Sequence, residues 1–387
     1  MGHFDNIIIR PVTGEVVGQG VGTIYQDLPE KGYLSYLSVD LSMVVAMDTN
    51  PGLDHWNAFT KFEVLVDGSK VVKSYDAKQL RAIAHYWGMD LSQLGWYERH
   101  DTAEEKMFWH YPILFGRYPG DLEYMLDMER YSNPQLRVTY NCDQTTVDGE
   151  TYAASANPYV RSGVQGLIMR DGAPKNLKGY IKSTEIDNWS CIVSTTRQTE
   201  IPRGNNVIGY MQGARYSDDK MVDYFANHEL TFDNGEWQLY DHSYSQLKAL
   251  DAMVFPREVK INYRKDIGDD LPVDTCLGIC NNFSCNNVNE AEAHVGLTHE
   301  GTWNIQDVET ETNAGAGIAV LAAEMRFGGR WPHQNMYFPL YKYSEEGEFG
   351  IDTTKYGRID IKTTTGAGAS TSANLQTVAE YVVPTGE

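Results

Sequence analysis

The sequence has few cysteines and no apolar run long enough to cross a bilayer. Its 387 residues include only five cysteines. No stretch reaches the roughly 18 consecutive apolar residues that a membrane-spanning helix needs. Residues 1–6 lack the basic segment and apolar core of a signal peptide, so we expect no secretion by that route. An odd cysteine count in such a chain favours reduced thiols over a disulfide framework.

Positive charge is also scarce. The chain has 32 Lys and Arg against 53 Asp and Glu, which gives a formal net charge of −21. Proteins that bind nucleic acid without sequence preference need a basic surface for the phosphates, so we expect no direct contact with nucleic acid. Hydrophobic residues make up 42% of the chain and charged residues 22%, a balance that is typical of a folded globular protein.

Known catalytic motifs are absent from the sequence. It contains no Gly-x-Ser-x-Gly, His-Glu-x-x-His, phosphate-loop or dinucleotide-binding pattern. The segment from Asp48 to Asp54 resembles part of a calcium loop but lacks the terminal glutamate, and we interpret it as a polar turn. The sequence therefore predicts no catalytic residue, no metal site and no cofactor, and hence a protein that is not an enzyme.

One cluster of cysteines leaves an alternative open. Cys276, Cys280 and Cys285 lie close together, with His294 and His299 behind them. Thiolates and imidazoles bind zinc, but this spacing is not the paired Cys-x2-Cys of zinc ribbons. We favour loosely placed thiols in a polar, Asn-rich loop, and the sequence does not reveal their role.

The two halves of the chain resemble each other. Three blocks recur in the same order, and within the second block Tyr75-Asp76 is aligned with Tyr240-Asp241. Three collinear pairs are far harder to obtain by chance than one, so the sequence indicates an internal duplication. The paired blocks are 26–41 with 199–211, 62–82 with 228–249, and 111–138 with 338–361.

Each copy has the pattern of a β unit with one short helix. Apolar residues alternate through 33–41, 62–66 and 136–140, as in half-buried strands. Asp67-Gly68 and Asn234-Gly235 are typical of tight hairpins. Helical spacing predicts a helix over 77–87 with Asp76 as its N-cap, and a counterpart over 243–253. Many short strands with turn signals favour two antiparallel sheets that bury one core.

The predicted fold class is therefore all-β, with two tandem eight-stranded jelly rolls, short helices and a long insertion in the second. We expect residues 1–175 to form the first jelly roll and 176–387 the second, with a linker at 171–174. The insertion spans about 256–330 and is polar and acidic, so we expect it to project outward into solvent. A Thr-, Gly- and Ala-rich stretch at 363–373 predicts a flexible hairpin loop.

Three segments carry a resemblance to a known family. They are Tyr111 to Arg117 with Asp121 and 126–138 after it, 338–361, and the ending 379–384. In this order they resemble the double jelly-roll major capsid proteins of the adenovirus–tectivirus lineage, of the bacterial or archaeal virus type. The similarity covers most of the chain outside 256–330, and the long insertion in the second copy departs from the family pattern in detail.

The resemblance implies a structural role in a virion. Such proteins form homotrimers whose six jelly rolls make a pseudo-hexagonal capsomer, and these capsomers form an icosahedral capsid, often over an internal lipid membrane. The implied partners are other copies of the chain, neighbouring capsomers and minor capsid or penton proteins, and assembly takes place in the host cytoplasm. The alternative is a secreted two-jelly-roll carbohydrate-active protein, either a glycan amidase or a lectin. A cupin-like module is a third option, but no His-x-His motif is present.

Overall fold

The structure of the protein is a computed structural model. It describes these residues: 3–11, 21–46, 59–89, 95–99, 104–141, 146–147, 150–151, 159–215, 221–255, 258–267, 273–275, 283–285, 295–297, 304–313, 319–328, 335–345, 348–371 and 373–385.

The first half of the chain forms twelve strands among the described residues and one helix, α1, at Ala77–Tyr86. The strands are β1 His3–Arg10, β2 Val21–Asp27, β3 Tyr33–Ala46, β4 Phe59–Val66, β5 Lys70–Tyr75, β6 Gly95–Arg99, β7 Glu104–Leu114, β8 Leu126–Asp127, β9 Gln135–Asn141, β10 Thr146–Val147, β11 Glu150–Thr151 and β12 Tyr159–Arg170.

The second half contributes two further helices in the described part, α2 at Met221–Tyr224 and α3 at Tyr244–Val254. Its strands are β13 Gly179–Ser190, β14 Thr196–Glu200, β15 Asn206–Arg215, β16 Asn227–Phe232, β17 Trp237–Ser243, β18 Glu258–Ile267, β19 Val273–Thr275, β20 Phe283–Cys285, β21 Val295–Leu297, β22 Asn304–Asn313, β23 Ala319–Gly328, β24 Asn335–Pro339, β25 Ile351–Asp352, β26 Ile359–Thr364 and β27 Asn374–Pro384.

Each half contains a pair of antiparallel sheets that share one order of eight strands, and in the first half β6 adds a fifth strand at the edge of one sheet. In the first half the orders are β1-β12-β3-β7-β6 and β2-β9-β4-β5, and β8 extends the pairing of β3. In the second half they are β13-β27-β15-β24 and β14-β26-β16-β17, and β25 extends the pairing of β15. Eight strands in two four-stranded sheets connected in this order are the jelly-roll topology. The predicted all-β fold with two jelly rolls is confirmed.

The pairing register of the strands aligns the two jelly rolls residue by residue. The β4–β5 pairing skips one residue between Val64↔Lys73 and Leu65↔Val71. The β16–β17 pairing skips at the same place, between Leu230↔Tyr240 and Thr231↔Gln238. Since a β-bulge interrupts the ladder at one defined position, the shared bulge fixes the alignment. It makes His242 the counterpart of Tyr75, so the sequence alignment of Tyr75 with Tyr240 is wrong by two residues.

The predicted helices are present. Asp76 caps α1 by accepting from the backbone N–H of Gln79 at 2.7 Å, while the Gln79 side chain accepts from the N–H of Asp76 at 2.9 Å. This is a capping box, which satisfies two helix N–H groups that otherwise lack partners. In the second jelly roll Gln246 accepts from the N–H of Ser243 in the same way, and α3 begins one residue later than the expected 243.

Two turn predictions differ in detail from the structure. Asp67 and Gly68 both have positive φ, 52° and 78°, as the predicted hairpin requires. In the second hairpin four residues, 233–236, separate the paired Phe232 and Trp237, so the turn is longer than a two-residue one. The predicted flexible loop at 363–373 is also too long, because Thr363 and Thr364 pair with β14 and β16 in β26. The connection runs through 365–373.

The insertion in the second jelly roll follows α3 and contains strands. β18, β23 and β22 form one antiparallel sheet, and β19, β20 and β21 form another. Cys285 lies in β20, so the expectation of a loop for the whole cysteine cluster is wrong for that residue. Cys276, Cys280, His294 and His299 lie outside the described residues, as do the turn at 48–54 and Cys142.

Each jelly roll encloses a hydrophobic core between its two sheets. Equivalent ring pairs mark its centre: Phe62 and Tyr111 have ring centroids 4.6 Å apart, and His228 and Phe338 have theirs 4.0 Å apart. Full burial of an apolar side chain such as Phe62 stabilises the fold by about 2 kcal/mol. Of the helices that the structure describes, none is long and apolar enough to span a membrane.

Candidate functional site

The main contact between the two jelly rolls lies on one sheet face of the second. β5 and α1 of the first lie against β13, β15 and β24 of the second, on the face away from the second core. Met211, Tyr337 and Val378 on that face belong to the same hydrophobic cluster as the first core. All ten residues of α1 are buried, because the helix lies between its own β-sandwich and the neighbouring one.

A buried glutamate is at the centre of this contact. Glu380 on β27 is 2% exposed and accepts hydrogen bonds from both jelly rolls. Tyr75 of β5 donates to its Oε1 at 2.7 Å, and Tyr337 of β24 donates to its Oε2 at 3.0 Å. The Trp87 indole N–H reaches Oε2 at 3.3 Å. A buried carboxylate is tolerated when its oxygens are saturated with donors in this way.

A buried lysine completes the cluster. Lys73 on β5 is 2% exposed, and its Nζ donates to the hydroxyl of Ser183 on β13 at 3.1 Å. That hydroxyl also contacts the Tyr75 hydroxyl and lies 3.3 Å from Oε1 of Glu380. Burial lowers the pKa of Lys73 to about 8, and the attraction of Glu380 opposes the shift. Lys73, Tyr75, Ser183, Glu380, Trp87 and Tyr337 are called the Glu380 cluster below.

The rim of the contact combines polar and aromatic pairs. Gln79 of α1 donates to the side-chain oxygen of Gln376 at 3.1 Å. The hydroxyl of Tyr86 donates to the backbone carbonyl of Asn335 at 2.8 Å, and its ring lies 5.4 Å from the Tyr337 ring. The directional hydrogen bonds and the buried rings together fix the position of α1 against β24.

A second polar cluster holds the loop after β7 against the start of β13. Arg117 binds Asp121 through two nitrogens, at 2.7 and 2.9 Å, and Glu123 at 3.0 Å. Asp121 is 0% exposed, and the loop joins the second jelly roll through a parallel bridge between Tyr124 and Gly179. Burial raises the pKa of Asp121, but the hydrogen bonds from Arg117 outweigh it and lower the pKa below the usual value.

The chemistry of this site is that of a structural contact. The cavity beside Lys73 and Glu380 measures about 10 Å³, the size of about one water probe. Within the part of the chain that the structure describes, there is no group of three His, Cys, Asp or Glu side chains arranged to hold a metal ion. The partners of Lys73 and Glu380 are protein atoms from two different sheets, which is an arrangement that joins domains.

Sequence analysis missed the Glu380 cluster, although a signal existed. Lys73 follows Val71 and Val72, and Glu380 stands inside the apolar run of β27. A charged residue beside a run of apolar strand residues indicates a buried partner, because an unpaired buried charge is strongly unfavourable. The sequence does not reveal which two such residues meet.

Comparison with protein-family models and with curated proteins found no match. Among solved structures, the chain is similar to the major capsid protein of STIV, with 12% identity, coverage of 99% of this chain and 98% of that one, and a TM-score of 0.56. It is also similar to the major capsid protein P2 of bacteriophage PM2, with 9% identity, coverage of 100% and 99%, and a TM-score of 0.50.

The PBCV-1 virus capsid gives a TM-score of 0.54 at 9% identity, with 98% of this chain and 93% of that one covered. The chain has the double jelly-roll fold. At such identities the likeness concerns the backbone, and it extends over nearly the whole length of each chain compared.

Proposed function

We propose that the chain is the major capsid protein of an icosahedral virus and that it forms trimeric, pseudo-hexagonal capsomers. One observation carries the proposal. Two jelly rolls of identical strand order pack face to edge within one chain, and the fold matches three capsid proteins over almost all of both chains. Residues 1–175 and 176–387 are the two jelly rolls of this proposal.

A physical argument links this architecture to a shell. Each chain contributes two similar units, so three chains arranged around an axis present six similar units. Heterologous contacts of this kind form a closed ring when their rotation closes. A six-sided tile fits beside identical tiles, and the buried Glu380 cluster joins the two jelly rolls within each chain.

The insertion at about 256–330 is assigned to the outer surface of the capsomer. It branches from the second jelly roll between α3 and β24, and its sequence carries many acidic residues. Acidic side chains favour solvent over a sandwich core. Limited proteolysis of intact particles checks this assignment. Preferred cleavage within 256–330 with the shell intact is expected, and complete protection there would contradict it.

The partners follow from the same proposal. They are other copies of the chain, neighbouring capsomers, and minor capsid or penton proteins at the vertices. The net charge of −21 opposes contact with the genome, which supports a shell separated from nucleic acid by an internal membrane. Lipid extraction from purified particles tests the membrane, since phospholipid in stoichiometric excess over protein is expected.

Measurement of the assembled state tests the function. Light scattering of the purified protein is expected to find three chains of 43.6 kDa each, and negative-stain microscopy is expected to show six-sided particles. A monomer at every concentration from 1 to about 100 µM, with no assembled particles, would overturn the proposal. Binding to a glycan array by such a monomer would favour the carbohydrate-active alternative, which no observation on the described residues favours.

A further inference from the structure

Each jelly roll has two surfaces of interest, a helix with its edge strand and the outer face of one sheet. The contact within the chain uses only one of these two surfaces from each jelly roll. The first jelly roll contributes its helix and edge strand, and the second contributes a sheet face. Phe255, directly after α3, packs against Tyr86 in this contact, with ring centroids 4.7 Å apart. The remaining surfaces are the helix α3 with β17 on the second jelly roll and the outer face of β1, β12, β3 and β7 on the first. We call the latter the open face.

Register shows which open-face residues correspond to the covered ones. On the covered face, Glu380, Gly209 and Pro339 pair in one row across three strands. The first jelly roll has the row Gln165, Ser38 and Pro112. With the two prolines as equivalents, Gln165 takes the place of Glu380.

Two more equivalences follow from the same ladders. The next outward-facing row places His110 where the covered face has Tyr337, since each lies two residues before the proline. On the edge strands, Ile8 pairs with Gln165 as Ser183 pairs with Glu380. The equivalence is supported inside the cores, where Tyr111 and Phe338 occupy matching positions against Phe62 and His228.

The open face carries a polar cluster of its own and an exposed apolar side chain. Asp40 accepts from Ser38 at 2.8 Å and from Gln165 at 3.3 Å, and it lies 2.5 Å from Nδ1 of His110. The His110 side chain is 39% exposed. Ile8 is 70% exposed, whereas its counterpart Ser183 is 0% exposed under β5.

The helix α3 shows the matching exposure on the other side. The capping boxes align Gln246 with Gln79, which places Met253 at the position of Tyr86. Tyr86 is 6% exposed because it packs on Tyr337 across the contact. Met253 is 80% exposed, the highest value among the large apolar side chains of the described residues.

We propose that α3 and β17 of one copy dock on the open face of a second copy, with Met253 against His110 of that second copy. The proposal rests on the capsid function and names the surfaces of its trimer. The occupant is a second copy of this chain because the same pair of surfaces already meets inside each chain. Exposed Met253 and Ile8 gain burial there, and methionine sulfur packs favourably against an aromatic ring. Three internal contacts and three such contacts between chains complete a ring of six jelly rolls.

A charge at Met253 tests the contact. Met253→Arg is expected to weaken trimer formation at least tenfold, as measured by sedimentation over a dilution series, while the circular dichroism of the folded chain is unchanged. Val21→Arg is the matched control. Val21 is 67% exposed on β2, the edge strand of the other sheet, and its replacement is expected to leave the trimer intact. An unchanged trimer in Met253→Arg would overturn the proposal.

Cross-linking gives a test that does not depend on a loss of stability. A tagged Met253→Cys chain is co-expressed with an untagged His110→Cys chain, and oxidation is expected to link the two chains of different size. Each variant alone serves as the control for the five native cysteines. A trimer without this cross-link would contradict the proposed docking surfaces but not the proposed capsid function. A monomer under all conditions would overturn both.

Discussion

The two helices that follow the fifth strand of each jelly roll, α1 and α3, have the same place in the fold and different surroundings. All ten residues of α1 are buried, including Lys78, Gln79 and Arg81. In α3, Ser245, Gln246 and Met253 are exposed. Both begin with a capping box, so the local sequence forms the helix in either case. The difference shows that burial of this element depends on whether another jelly roll lies opposite.

The two equivalent sheet faces differ in the same way. Glu380 has buried tyrosine donors and a buried lysine nearby, whereas Asp40 is held by Ser38, Gln165 and a histidine that is 39% exposed. Glu380 therefore takes hydrogen bonds from the neighbouring jelly roll, whereas Asp40, which is 8% exposed, has its partners Ser38, Gln165 and His110 on its own sheet. The four predictions below test this comparison, beginning with the largest expected effect.

Replacement of the central carboxylate tests how much the covered face contributes. Glu380→Ala is expected to lower the free energy of unfolding by about 3 kcal/mol or more, because two tyrosine hydroxyls lose their acceptor and the buried Lys73 loses the attraction of the carboxylate. Thermal and denaturant unfolding of the purified protein measure it. Asp40→Ala at the equivalent cluster is the control, with a smaller expected loss of about 1 kcal/mol. Equal losses would mean that enclosure does not distinguish the two faces.

The loops that follow β7 and β24 provide the second test. Asp121→Asn is expected to cost about 2 kcal/mol, because the buried carboxylate accepts from Arg117 and from two backbone N–H groups. In the second jelly roll the corresponding region carries the exposed Lys355–Glu345 pair. Glu345→Gln is expected to leave the unfolding midpoint unchanged. A large effect of Glu345→Gln would contradict the comparison.

The cores differ in their response to acid. Burial, and to a smaller extent His242, lowers the pKa of His228 to about 3, and the ring receives or donates a hydrogen bond at the Tyr210 hydroxyl at 2.6 Å. The unfolded chain takes up the proton near pH 6.5, well before the folded chain does. Stability is therefore lost as the pH falls below 6.5, by about 2 kcal/mol at pH 5.

The first jelly roll has Phe62 at this position, which supplies the matched variant. His228→Phe is expected to reduce the loss of stability between pH 7 and pH 5, as measured by denaturant unfolding at both values. The comparison of the two pH values within one variant removes the separate cost of the lost bond to Tyr210. An unchanged pH dependence in this variant would show that another group responds to acid.

The smallest effect is expected at the helix caps. Gln79→Ala removes both a capping interaction and the bond to Gln376 across the contact, with an expected loss of about 1.5 kcal/mol. Gln246→Ala removes a capping interaction at an exposed helix end, with an expected loss of about 0.5 kcal/mol. The difference in unfolding free energy between the two variants measures the share that belongs to the contact. Equal losses of unfolding free energy in the two variants would mean that the hydrogen bond to Gln376 does not contribute to stability.

Much of the fold follows from local patterns in the sequence. The alternation in β3, the Asp67-Gly68 turn and the cap at Asp76 each depend on neighbouring residues, and the structure places them as predicted. The duplication was visible because both copies meet the same local requirements. The equivalence of Tyr75 and His242 was not visible in the sequence, since the bulges that set it depend on hydrogen bonds between strands.

By itself, the sequence determined the all-β class, the two equivalent units, the position of the helices and the place of the insertion, because short-range periodicity and turn chemistry encode them. Only the tertiary structure decided that Lys73 and Glu380 belong to one cluster and that α1 is enclosed while α3 is open. Lys73 and Glu380 are separated by about 300 positions along the chain, and no local preference brings such residues together. Their meeting follows from packing one sandwich on another, where each buried charge must find its partner.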